Sequence, residues 1–243
     1  MRSLETELDR AEALDVTELA DAIETIGFEC TRCGACCKGY ETADDDREPD
    51  SDGDRVPHTD GDREPHTATV FPDEVRTLQE ATDYDWRDVA RPMPYGLIEG
   101  PDGPAGRTFE WALAIDDCGD CRFYREDDDG TGACVVHDDR PLVCRSYPFG
   151  LALGGTSQPL GEAVDEEGIV RAHECAGLGR PIDREDAESM AAELKRRAIR
   201  ELTEAIAVRE AYEPIDANGV VVFDSEGAKR PDGRSIDHSE SID

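Results

Sequence analysis

Cys30, Cys33, Cys36 and Cys37 stand in the run F-E-C-T-R-C-G-A-C-C, Phe28 to Cys37, which places four thiols within eight residues. Thiolates at that spacing are metal ligands, since alanine or valine would fill a core equally well. The other five cysteines, Cys118, Cys121, Cys134, Cys144 and Cys175, fall in one downstream stretch, making nine in all. Structural disulfides are the competing use of so much sulfur. Nine is odd, and the segment Met1 to Asp9 carries acids where a signal peptide has bases, with no apolar stretch after it. No run of about 18 apolar residues occurs, so no membrane span is expected. A cytoplasmic protein with reduced, metal-binding thiols is the expectation.

Acidic residues number 59 against 26 basic ones, a net charge of −33. The lysines are Lys38, Lys195 and Lys229, and every other base is arginine. Such a surface resembles proteins of extreme halophiles. At about 1 M salt the Debye length is about 3 Å, so self-repulsion is screened. A nucleic-acid partner is not expected, because it requires basic patches.

The elements that must position the thiols are read from periodicity. Residues 1–27 form a helical segment, with Leu4, Leu8 and Ala11 on one face, Leu19, Ile23 and Ile26 on another, and Gly27 as C-cap. Residues 44–67 hold an eight-residue repeat, Asp52–Thr59 followed by Asp60–Thr67, with a decayed copy at Asp44–Ser51. Its Asp, Gly and Pro bury little, so 44–67 reads as a disordered acidic insertion rather than a cation site built on His58 and His66. Pro72-Asp73-Glu74 starts a helix. Arg91 to Gly106 reads as loop, and Thr108 to Ile115 as a strand delivering the chain to Cys118. A long helix from Arg184 to Tyr212, capped by Asp183, buries a stripe of Met190, Leu194, Ala198, Leu202 and Ala205. Val220–Phe223 is a short strand, and 228–243 a flexible tail.

The downstream thiols sit in Cys121-Arg122-Phe123, in the dense segment Cys134 to Phe149 with its Arg140-Pro141-Leu142-Val143-Cys144-Arg145-Ser146-Tyr147-Pro148-Phe149, and in Cys175-Ala176-Gly177. With F-x-C-x-x-C-G-x-C-C ahead of them, these four motifs in order resemble the CxxCxxCC cysteine-cluster family, which carries a zinc- or iron-chelating domain. The resemblance spans about residues 25 to 180. It implies metal binding, and a relation to the metal-binding part of flagellin lysine methylases. No S-adenosylmethionine motif accompanies it. Two departures stand out: the repeat widens the first gap, and Cys118 is additional to the pattern.

Without Cys118, eight thiols remain: Cys30, Cys33, Cys36, Cys37, Cys121, Cys134, Cys144 and Cys175. Eight are two sets of four. In extended chain the adjacent Cys36 and Cys37 would point opposite ways and more readily serve neighbouring centres, whereas a turned backbone would let both reach one ion. Gly34 suits a loop folding round a metal. Cys₄ sets suit zinc or iron–sulfur. The C-x-x-C-x-x-C opening is ferredoxin-like and favours [4Fe–4S], up to two clusters, with Zn²⁺ as the alternative. Arg32, Lys38, Arg140 and Arg145 are placed to offset thiolate charge or to pair with carboxylates. His137 and His173 are reserve ligands, and Tyr147, Pro148 and Phe149 a lid. No Ser-His-Asp triad, phosphate loop or dinucleotide fingerprint is present.

The resulting expectation is an α+β protein: a small, irregular, metal-stabilised cysteine-cluster domain over 28–180, with flanking helices and few short strands. Residues 181–227 supply the C-terminal helix and strand that pack on it. Its function is expected to be iron–sulfur electron handling with a redox or protein partner. A zinc-stabilised interaction module and a protein-modifying component are the other classes.

Overall fold

The first 27 residues form two helices, each started by a side-chain cap. In the computed structural model, which describes residues 2–41, 63–100, 103–158, 163–165 and 168–236, α1 (Leu4–Ala13) is capped by Ser3 and α2 (Val16–Ile26) by Asp15. Strands β1 (Tyr40–Glu41), β2 (Arg63–Glu64) and β3 (Thr69–Val70) follow, then helices α3 (Pro72–Thr82) and α4 (Trp86–Val89). Next come β4 (Ala90–Pro92), β5 (Leu97–Gly100), β6 (Gly103–Thr108) and β7 (Trp111–Leu113). The hairpin β8 (Tyr124–Glu126) to β9 (Gly132–Cys134) precedes helix α5 (Leu142–Ser146). β10 (Phe149–Leu151), β11 (Ala163–Asp165) and β12 (Val170–His173) lead to α6 (Arg184–Ala211), and β13 (Val220–Asp224) and β14 (Gly227–Lys229) complete the order. The architecture is mixed α+β, with small sheets ordered β10-β12-β11, β14-β13-β6-β5 and β3-β7-β4 and two two-stranded ribbons. Its strands are more numerous than the sequence suggests.

Four stretches differ from expectation. Arg91–Gly106 contains β4 and the hairpin β5–β6, because β13 pairs in parallel with β6 (Val220↔Gly106) and recruits glycine-rich backbone whose own propensity is low. The strand expected over Thr108–Ile115 is broken, β6 ending at Thr108 and β7 starting at Trp111. The disordered reading of 44–67 is corrected at its end: β2 pairs with β1, Glu41 facing Arg63, and His66 is 5% exposed. Residues 44–62, His58 among them, lie outside the described residues. The tail is ordered through Ile236, which is buried against Val221 and Phe223.

The core has two main parts. One gathers Leu19 and Ile23 of α2, Phe149 and Leu151 of β10, Val170 of β12, and Leu194, Ala198 and Leu202 of α6. The other gathers Val70, Val75, Leu78, Trp111, Leu113, Phe123 and Val222, with Cys121 among them. Helix α6, about 42 Å long at about 1.5 Å per residue, ties them together. Arg200 reaches Asp73 (2.7 Å) and lies over the Phe71 ring, and Glu204 accepts from Ser225 N (2.9 Å).

The stripe buried by α6 differs from the expected one in a residue that hydropathy assigns to solvent. Arg197 is 2% exposed. It pairs with Glu201 (2.9 Å) and donates to Ser146 Oγ (3.1 Å), Phe149 O (3.3 Å) and Ser157 O (3.0 Å). One buried guanidinium therefore fixes α5 and β10 to α6. Met190 and Ala205 are only partly buried. Among the described residues no helix is long and apolar enough to cross a membrane.

Candidate metal centre

The thiols lie on loops that the two core parts hold face to face. Gly27, at φ 75°, ends α2 and turns the chain into the cysteine loop. There Phe28 bridges Leu178 in antiparallel fashion, Glu29 N donates to Gly177 O (3.0 Å), and the Phe28 ring packs edge-on against Phe149. Arg32 and Gly34 adopt left-handed backbone, and Ala35–Cys37 forms one 3₁₀ turn. The loop is clamped from the other side. Gly132 N donates to Arg32 O (2.6 Å), Cys121 N donates to Cys37 O (2.7 Å), and the buried His66 ring lies near the Cys36 main chain.

Cys121 is buried at the end of a turn whose Ile115 bridges it. Tyr124 of β8 faces Cys134 of β9 in register, and Val135 N donates to Phe123 O (2.9 Å), so Cys134 returns beside the Cys121 segment. Cys144 rides on α5. The Glu74 carboxylate accepts both Leu142 N (2.8 Å) at the start of α5 and Phe71 N (3.0 Å) at the start of α3. Cys175 follows β12, its sulfur accepting from Gly177 N (3.4 Å). The expected lid is only partly so. Tyr147 lies beside the thiols and donates to Glu174 O (2.7 Å), whereas Phe149 is fully buried in the helical core.

The surroundings raise Cys36, Cys121, Cys134, Cys144 and Cys175 above the ordinary thiol range. Cys36 is pushed up by its hydrogen bond with Cys37, by the protein packed about its sulfur although the residue as a whole is exposed, and by the neighbouring thiols Cys37 and Cys33. Burial pushes Cys121 up to about 12. Burial likewise raises Cys134, Cys144 and Cys175, helped by other thiols of the group. Cations answer part of this charge: Arg140 acts on Cys134, while Lys38 is engaged with Glu126. A positive ion or cluster would supply the rest, which is why the donor set fits a metal centre. Among the described residues no three donors converge on one point as ligands of a single ion must. Cys36 and Cys37 stand 3.9 Å apart, sulfur to sulfur. Their 3₁₀ turn replaces the extended backbone assumed for this pair, so the expectation that the two side chains point opposite ways is corrected, and backbone direction no longer assigns them to separate centres.

Cys36 is an electrostatic neighbour of Cys33, Cys37, Cys121, Cys134, Cys144 and Cys175, and Cys30 of Cys175. Cys118 is exposed on the Asp116–Asp120 turn, its N–H donating to Asp116 (2.9 Å). His137 is exposed beside Asp138, and His173 is buried in β12. Sequence reasoning missed His66, Glu74 and Tyr124 as supports of the site. His66 was hidden in the acidic repeat. Glu74 was visible only as the N3 carboxylate of a helix start, although its second oxygen caps another helix.

Gly34 provides a local test. A Cβ there would meet the Tyr124 ring at 2.2–2.5 Å, and φ is +74°. Gly130 has a similar φ of +78° with nothing within 4 Å. Gly34→Ala should therefore lose most bound metal, while Gly130→Ala, carrying backbone strain of about 1 kcal/mol alone, should keep it. Equal metal content in the two variants would show that the Tyr124 clamp does not shape the site.

No curated protein and no solved structure matches the chain. One family model does, over residues 29–176, the stretch that holds all eight of these thiols. The chain therefore belongs to the CxxCxxCC family, described as a "putative zinc- or iron-chelating domain".

Proposed function

We propose that the chain is an iron–sulfur protein holding up to two [4Fe–4S] clusters on Cys30, Cys33, Cys36, Cys37, Cys121, Cys134, Cys144 and Cys175, and that it exchanges electrons with a redox partner. The observation that carries this reading is the position of Cys175. Three thiols at C-x-x-C-x-x-C spacing on one loop need a remote fourth to complete a Cys₄ set. The pairing of Phe28 with Leu178 brings Cys175 to that loop.

When bound, such a cluster supplies one-electron transfer at a potential set by burial and nearby charge. The chain's own residues set that environment. Cys30, Cys33 and Cys36 are exposed, so one edge of the site faces solvent and a partner. Beside Cys30 opens a cleft of about 490 Å³ lined by Phe28, Arg140, Arg145, Ile182 and Met190. Cys121 and its apolar neighbours Phe123 and Val136 keep water from the other edge.

The second reading is a closed structural zinc site. It is favoured by the half-buried Cys37, Cys134 and Cys144, which pack beside Cys121 on an apolar core. Protein purified anaerobically in molar salt separates the two. Two clusters give about eight irons and eight sulfides per chain and a visible band that dithionite bleaches. About two zinc ions with no sulfide and no colour would replace the iron–sulfur reading with the structural one.

A further inference from the structure

The backbone sorts the thiols into two groups, and the groups are not the order in which they occur along the chain. On one side, the pairing of residues 27–29 with 177–179 sets Cys175 against the start of the cysteine loop: Gly179 N donates to Gly27 O (3.1 Å) and Glu29 N to Gly177 O (3.0 Å). The electrostatic neighbours of Cys175 are Cys33, Cys36 and Cys30. The Tyr147 hydroxyl, anchored on Glu174 O, is within electrostatic range of Cys175, Cys36 and Cys33. On the other side, Cys121 N is bonded to Cys37 O (2.7 Å). Cys37, Cys134 and Cys144 pack against the same apolar cluster that buries Cys121. Cys121, Cys36 and Cys134 are the thiol neighbours of Cys144, and Cys36 also neighbours Cys121 and Cys134, so the junction thiol borders both groups. The 3₁₀ turn of Ala35–Cys37 is the junction, with Cys36 and Cys37 meeting at 3.9 Å.

We propose that Cys30, Cys33, Cys36 and Cys175 ligate one centre and Cys37, Cys121, Cys134 and Cys144 a second, the two abutting at the Cys36–Cys37 junction. The assignment rests on the metal-binding reading above but not on which metal is bound. Each set takes its members from separated segments, so each centre closes a different loop. The first ties the cysteine loop to the end of β12. The second ties it to the β8–β9 hairpin and α5. The first centre is the solvent-facing one, since Cys30, Cys33 and Cys36 are exposed, and the second is the enclosed one, on Cys121.

Two experiments on the full chain test the partition. In the first, single and double serine variants are purified anaerobically and their metal content is measured. Cys36→Ser and Cys175→Ser should each lose about half of the metal, and the double variant no more than either alone. Cys37→Ser and Cys134→Ser should behave in the same way as a pair. Cys175→Ser combined with Cys134→Ser should lose nearly all of it. Cys118→Ser should lose none. The partition is overturned if Cys36→Ser and Cys37→Ser, combined, still lose only half, or if the Cys175 and Cys134 variants do.

The second experiment needs no variant and so survives poor folding of any of them. Metal-loaded wild-type protein is titrated with chelator, and exposed thiols are alkylated and located by mass spectrometry. Cys30, Cys33, Cys36 and Cys175 should become labelled together and first. Cys37, Cys121, Cys134 and Cys144 should follow as a second group. Labelling of Cys36 with the Cys121 group would overturn the assignment. Wild-type protein that binds neither iron nor zinc would sink the metal-binding reading itself, an outcome distinct from a wrong partition.

Discussion

Anaerobic removal of metal from the intact chain will release the cysteine loops while leaving the helical core standing. Hydrogen exchange followed by mass spectrometry should show residues 28–41 and 118–144 losing protection by about 100-fold, or about 2.8 kcal/mol at about 1.4 kcal/mol per factor of ten. Helices α2 and α6 should change little. The reason lies in what holds each part. The helical side buries Leu19, Ile23, Phe149, Leu194 and Leu202 completely or nearly so. The cysteine loop from Glu29 to Gly39 contains no regular element longer than the Ala35–Cys37 turn. It is tied down by a few backbone bonds, among them Gly132 N to Arg32 O and Cys121 N to Cys37 O. Metal binding needs thiolates from these loops, so binding energy is delivered to them first. The experiment belongs in molar salt, where the net charge of −33 is screened. Verified metal-free protein whose loops exchange as slowly as the loaded form would falsify this account.

Replacing the buried arginine of α6 will have the largest effect of any single substitution away from the thiols. Arg197→Ala should lower stability by about 3–5 kcal/mol, the usual consequence of removing one partner from a buried ion pair. For a chain of this size that is a fall of roughly 6–20 °C in Tm. The variant leaves Glu201 without its 2.9 Å partner and takes the donors from Ser146, Phe149 and Ser157. Lysine should not rescue it, because one ammonium cannot reproduce a planar fork aimed at several acceptors. The loss should extend to the metal site. Ser146 Oγ accepts from Arg197 and donates to Leu142 O (2.9 Å) within the helix that carries Cys144. Arg197→Ala should therefore release metal at a lower chelator concentration than wild type. A Tm change under about 2 °C, from a loss of less than about 1 kcal/mol, would mean that the guanidinium is incidental to α5.

Much of this protein was legible as sequence because its signals are local. Caps and periodicity act within a few residues. Asp183 starts α6, Gly27 ends α2, and Pro72-Asp73-Glu74 opens α3 as their types require. The spacing of thiols is equally local, and it marks Cys30, Cys33, Cys36 and Cys37 as candidate ligands. The family resemblance, and not spacing, set Cys118 apart; the structure places it on an exposed turn.

What the tertiary structure alone decided is everything that depends on partners remote along the chain. Glycine- and proline-rich backbone over 97–108 becomes a hairpin because β13, more than a hundred residues later, pairs with it. Arg197 is buried because Ser146, Phe149 and Ser157 present oxygens to it, a circumstance no hydropathy pattern records. Glu74 reads as a helix-start acid, yet its second oxygen caps α5. The grouping proposed for the thiols is of the same kind. Composition and spacing determine that sulfur will meet metal here, because ligand chemistry resides in the side chain. Which sulfurs can approach one another is determined by the pairing of 27–29 with 177–179 and by the clamp between Cys37 and Cys121, because distance in space is a property of the folded backbone.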